Sequence, residues 1–179
     1  MSTAVILQPH YFPWMGVFEQ IKLSDVYVHL DDVQLPQGRS FCSRVQLKTR
    51  HARIWLSVPI VRNGLQLIRD TRTDESQPWR RHHLATLREC FKGAPFADDA
   101  IGIAVDTLAV KSTHLSEICI FGIEKVASYL GITARFDRSS NLSSKGVKDD
   151  KIITLLNSLG ADTYITGHGA KSYMDHEKM

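Results

Sequence analysis

Residues 4–34, AVILQPHYFPWMGVFEQIKLSDVYVHLDDVQ, decide the fold. Ala4-Val-Ile-Leu7 is a short apolar run closed by Gln8-Pro9, the pattern of a buried strand ended by a turn signal. A loop holding three aromatics, one Pro and one Gly follows, His10-Tyr-Phe-Pro-Trp-Met-Gly16. Val17, Phe18, Ile21 and Leu23 then suit a short helix, and Val26-Tyr-Val-His-Leu30 reads as a second strand that runs into Asp31-Asp32. Strand, loop opening a helix, then strand is the outline of a βαβ unit. In open parallel sheets ligands bind beyond the carboxyl ends of the strands. That edge would hold both the aromatic loop and the two aspartates.

Working outward, residues 41–47 and 53–61 alternate at period two and predict a hairpin. Helices are expected over about 79–91, 97–110, 115–130 and 147–159, with Gly131 and Gly160 as stops for the last two. Strands are expected at 132–136 and 163–166, and a Ser-rich loop at 139–144. The fold class is therefore α/β: a mostly parallel central sheet flanked by helices, with a β-hairpin insertion around 40–61. A chain of 179 residues fits a single domain, 1–179. With 43% hydrophobic and 23% charged residues it is globular rather than disordered. There is no apolar run long enough for membrane insertion and no secretory signal, and three scattered cysteines make a cytoplasmic location the expectation. Those cysteines form no CxxC or CxxxH pair, so no metal site is read, and no motif calls for a cofactor.

The net charge of +3 hides an uneven distribution. Residues 39–92 carry twelve Lys/Arg and four acids, net +8, between flanks of −3 and −2. An anionic partner follows from such a patch. Arg is suited to bidentate contact with phosphate or carboxylate. The candidates are a sugar nucleotide, a phosphopantetheine phosphate or an acidic acyl carrier. Nucleic acid needs aromatic platforms on the same face, which Phe41 and Trp55 could supply, but no RRM, KH or helix-turn-helix signature is present and nucleic acid is not the expected partner.

Candidate chemistry gathers at the strand ends. One of Asp31 and Asp32 could act as general base or orient an amine, with Gln34 close behind. Side chains alternate along an extended strand, so only one of the two aspartates is expected to face the site. Histidine ordinarily titrates near neutrality, which makes His10 and His168 candidate bases. Gln8, Tyr11, Phe12, Trp14 and Gly16 would wall a pocket. Gly167-His168-Gly169, followed by Tyr173, would let a ligand approach backbone N–H groups.

QPHYFPWMGVFEQI followed by SDVYVHLDDVQ resembles the opening of the WbqC-like family, roughly Q-P-x-Y-F-P-[WY]-x-G-[YV]-F and then A-D-x-[FY]-V-x-x-D-D-V-Q. FCSRVQLKT with IWLSVPI resembles its N-R-x-Q-I and W-L-T-V-P hairpin, with Ser43 where Asn is usual, and places Arg44 on the family's Arg. Pro78-Trp79, LGITARFDRSSNL and LGADTYITGHGAKSYMD resemble its later segments. The resemblance covers essentially the whole chain; family members continue beyond the last element with a segment not present here. It implies a bacterial protein of O-antigen or surface-polysaccharide clusters. The expected activity is a transferase that adds acyl or aminoacyl groups to an amino sugar or related amine. Asp31, Asp32, Arg44 and Trp79 would be site residues. A binding module without chemistry is the alternative. A nucleotidylyltransferase-like enzyme is a weaker one, because the Phe12–Phe18 stretch lacks both histidines of that phosphate-holding loop.

Overall fold

The structure, a computed structural model, describes residues 1–142 and 145–167. Within it the chain forms two compact units. The first comprises Met1–Gln8, Trp14–Asp32 and the described residues from Ala127 on; the second comprises Pro9–Pro13 and Val33–Val126.

The first unit is built on a four-stranded parallel sheet in the order β5-β2-β1-β6. Its strands are β1 (Thr3–Leu7), β2 (Val26–His29), β5 (Arg135–Arg138) and β6 (Thr163–Ile165). Helix α1 (Met15–Lys22) connects β1 to β2 and buries Val17, Phe18 and Ile21. Helix α5 (Asp149–Leu159) crosses from β5 to β6. Its Ile152, Leu155, Leu156 and Leu159 pack with Ile6, Val26, Val28 and Tyr164, the strand positions that share one sheet face. The opposite face carries Tyr27, His29 and Phe136, with the His29 and Phe136 rings stacked 5.8 Å apart. Such strands are apolar on both faces, as a covered parallel sheet requires. The α/β architecture expected from the sequence is the one observed.

The second unit holds the antiparallel hairpin β3 (Arg44–Lys48) and β4 (Arg53–Ser57), helix α2 (Trp79–Phe91), helix α3 (Ala97–Leu108) and most of α4 (Leu115–Tyr129). Val45 and Leu56 point from the hairpin into cores shared with Leu87, Ala104, Leu115 and Ile118. Arg44, Gln46, Lys48, Arg53, Trp55 and Ser57 occupy its other face.

Two strands start later than their hydrophobic pattern predicts. Before β3, the Ser43 N–H bonds to Ser40 O and the Cys42 N–H to Ser40 Oγ, so residues 41–43 are spent in a turn. Before β5, Gly131 adopts φ +67° and the Ile132 N–H reaches back to Ala127 O. This helix-ending motif consumes the first apolar residue of the expected strand. Pairing begins only at Arg135, whose N–H bonds to Asp25 O. The shift moves the carboxyl end of β5 onto Ser139.

Candidate functional site

Because the sheet is parallel, its carboxyl edge gathers the segments after all four strands: Gln8, Leu30–Asp32, Ser139–Ser140 and Thr166–Gly167. The polar cluster there is built from two of these segments and the start of α5. β2 ends at His29; the Leu30 N–H still pairs with Leu7 O, and the Asp31 N–H then turns back to His29 O. Strand alternation therefore stops before the aspartates. Both carboxylates meet Ser139, although only Asp32 retains some solvent exposure while Asp31 is buried. A 3-10 turn, Ser139–Asn141, presents the two serines, and the first turn of α5 supplies Lys151.

Asp31 is 2% exposed and Ser139 fully buried. Oδ1 of Asp31 accepts the Ser140 N–H at 3.0 Å and lies 3.1 Å from Ser139 Oγ, while Oδ2 accepts the Ser140 hydroxyl at 2.8 Å. Asp31 is thus a clamp between the segments after β2 and β5. Asp32 is the more accessible of the two. Its Oδ1 makes a short hydrogen bond with Ser139 Oγ, and its Oδ2 accepts from Lys151 Nζ at 2.7 Å. The side-chain exposures of Lys151 and Asp32 are 10% and 15%. Burial raises the Asp32 carboxyl, but the Lys151 and Ser139 hydrogen bonds and the Lys151 charge outweigh it and hold Asp32 below its ordinary value. Ser139 has one proton, so it can donate to only one of the two aspartates at a time. Counted together, Asp31, Asp32 and Lys151 carry a formal charge of −1, with Lys151 paired to Asp32.

Lys151 is what the motif reading missed; Ser139-Ser140 it left open between ligand binding and a turn. A signal existed for Lys151. A cation in the first turn of a helix opposes the helix dipole. Lys151 also lies four residues before buried Leu155, on the apolar stripe.

The remaining predicted residues divide between the units. Gln8 and Gly167 stand at the same sheet edge as the aspartates. Trp14 opens α1 and is 70% exposed, with its indole folded over Gly16: a Cβ there would lie 2.1 Å from Trp14 Cη2. His168, Gly169 and Tyr173 lie outside the described residues.

In the second unit, Tyr11 and Trp79 are core residues, 1% and 3% exposed, rather than lining a surface. The Tyr11 hydroxyl bonds to His83 Nδ1 at 2.8 Å. Phe12 sits at φ +45°, a left-handed conformation disfavoured for L-residues, held by packing against Tyr11 at 4.6 Å and both core clusters. Gln34 is exposed and bridges to Leu67. Arg44 lays its guanidinium 4.0 Å over the Trp55 ring. Among the described residues no group of three or more His, Cys, Asp or Glu could hold a metal, and no helix is long and apolar enough to cross a membrane.

Burial lowers both His10 and His83 to about 4. His10 is therefore neutral at neutral pH but a weak base. The same shifts make stability depend on pH. Between about 4 and 6.5 the unfolded chain binds protons that the folded chain does not, so stability is complete above 6.5 and falls as pH drops toward 4. For His83, 6% exposed, the loss is on the order of 2 kcal/mol by pH 4. Asp32 and Glu75, held below their ordinary values, add to the loss only at lower pH, in and below the ordinary carboxylate range. Urea midpoints at pH 7, 5.5 and 4.5 should decline steadily, and less steeply in His83→Gln. An unchanged slope in that variant would exclude His83 as a source.

Residues 8–179 match the WbqC-like protein family. A relative, Rv1507c of Mycobacterium tuberculosis, is 30% identical over 178 residues, spanning 98% of this chain and 76% of that protein. No solved structure matches.

Proposed function

The chain belongs to the WbqC-like protein family, and from that premise we propose a transferase that forms an amide on an amine-bearing acceptor. The acceptor would be an amino sugar or related amine of bacterial surface-glycan or secondary metabolism, and the donor an anionic acyl or aminoacyl carrier. The observation that carries this reading is the −1 cluster at the carboxyl edge of the sheet, reached through Asp32. It complements a group that is cationic or donates hydrogen bonds, as an amine does. Asp32, kept below the usual carboxylate range, stays ionised and is a weak base. Its part is to hold and aim the nitrogen. The nitrogen attacks the donor's carbonyl carbon, the carbonyl–carrier bond breaks, and the proton shed by nitrogen leaves with the carrier or to solvent.

The same weak basicity favours a second reading, in which the site holds the amine without chemistry. Calorimetric titration with a nucleotide-linked amino sugar and with its N-acetylated counterpart tests the shared premise. A charge-assisted hydrogen bond contributes about 1.5–3 kcal/mol, so the free amine should bind at least tenfold more tightly, and Asp32→Asn should erase the difference. Equal affinities in the native protein, or an undiminished preference in the variant, would discard the amine reading. Mass spectrometry of the acceptor after incubation with acyl carriers then separates the two: a gain of one acyl group identifies the transferase.

A further inference from the structure

The outer face of the β3–β4 hairpin carries positive charge apart from the aspartate cluster. Its register sets Arg44 opposite Ser57, Gln46 opposite Trp55 and Lys48 opposite Arg53, all on one side. Neither strand contains an acid. No described carboxylate pairs with Arg44, Lys48 or Arg53, whereas Arg80, Lys125 and Lys151 all have such partners. Arg44 Nε has no hydrogen-bond partner among the described residues.

Aromatic rings lie along the same side. Trp55, 39% exposed, is 6.0 Å from Phe41, 58% exposed, and Phe41 is 6.0 Å from the His10 ring. The cation positions at Arg44 and Lys48 are about 13 Å apart along the strand, with Arg50 beyond them in the turn. This span exceeds a single diphosphate, so the complement is an extended polyanion. One face of Trp55 is covered by the Arg44 guanidinium at 4.0 Å, and the exposed parts of Trp55 and Phe41 beside the cations suit a polyanion whose units also carry flat faces.

We propose that this face binds single-stranded nucleic acid, with bases stacking on Trp55 and Phe41 and phosphates meeting Arg44, Lys48 and Arg53. The sequence alone set nucleic acid aside for want of a motif; the register supplies the shared face that such binding needs. Stacking tolerates any base, so no sequence signature is required.

Fluorescence anisotropy of the full chain with a labelled twenty-residue oligothymidylate tests this. Three phosphate contacts on a single strand give a salt slope of about −2, so raising salt from about 50 to 200 mM should weaken binding about 20-fold. Trp55→Ala should weaken it at least fivefold, since stacking contributes about 1–3 kcal/mol per base. Lys48→Glu with Arg53→Glu changes only exposed residues and should abolish binding while leaving the thermal melt unchanged, which guards against misfolding in the Trp variant. Absence of oligonucleotide binding at low salt overturns the proposal. So does displacement by UMP as effective as by the oligomer, which would reveal a mononucleotide site. A sulfated polysaccharide binding as tightly, with no effect of Trp55→Ala, would leave only a charge interaction and equally overturns it.

Discussion

Asp31→Ala should lower the melting temperature by about 10 °C, far more than the same change in a surface aspartate. The carboxylate is 2% exposed and meets three donors, the Ser140 N–H, the Ser140 hydroxyl and the Ser139 hydroxyl. Alanine leaves the first two, on half-buried Ser140, without their protein partner; Ser139 can still turn to Asp32. Each donor orphaned there costs about 1–2 kcal/mol, and the cavity left at buried Asp31 adds to this, so about 4 kcal/mol is at stake. At about 2–4 °C per kcal/mol for a chain of this size, the shift is on the order of 10 °C. Asp31→Asn keeps one acceptor and should lose about half as much. Asp32→Asn, at the more accessible carboxylate, should cost less than Asp31→Ala. Thermal melts of the three variants check the order. An Asp31→Ala protein melting within about 2 °C of the native one, or an Asp32→Asn protein melting lowest, would refute the division between clamp and ligand-facing carboxylate.

Arg80→Ala should be comparably damaging in the second unit. All five guanidinium N–H groups are engaged there. Nη1 donates to Leu108 O at 3.0 Å and Val110 O at 2.7 Å, and Nη2 to Ser112 O and Glu75 Oε1, both at 3.0 Å. Nε donates to Glu75 Oε2 at 3.2 Å. Leu108 ends α3, so a cation here satisfies orphan carbonyls and complements the helix dipole. The partner is fixed in turn. Against its own burial, Glu75 is held below the ordinary carboxylate value by Arg80, Thr73 and Trp79. Glu75 is 39% exposed, so its ion pair adds little, and the carbonyl bonds dominate. The expected loss is about 3 kcal/mol, or roughly 9 °C. Lysine has three donors and no planar fork, so Arg80→Lys should recover less than half. Full recovery by lysine would show that charge, not geometry, is what matters.

Most elements were legible because each obeys one period. The 3, 4 spacing of α4 and the alternation of β3–β4 survive into the structure with shifts of a few residues. The Asp31-Asp32 pair stood out in the sequence as a candidate, but its shared contact with Ser139 did not, because nothing local says that the strand stops at His29. Tyr11 was read with a surface loop because Pro and Gly flank it; the partner that makes it core, His83, is 72 residues away. Lys151 carried a local signal in its unfavourable place on α5. Its partner, Asp32, is 119 residues distant, and only folding identifies it. Local pattern records which element a residue joins, while the contacts that give it a role are long-range.

That remoteness also orders events in time. Asp31 and Ser139 are 108 residues apart, and the strands that present them are neighbours in one parallel sheet. Closing so long a loop is entropically costly and slow unless the chain within it has already become compact. On a ribosome, β1 and β2 emerge long before β5 and β6 exist to flank them. The Val33–Val126 unit can complete its own hairpin and helices in that interval. The aspartate–serine–lysine cluster is therefore among the last features to form. Its hydrogen bonds are a marker for the end of folding, and Asp31 variants should slow the final phase of refolding less than they speed unfolding.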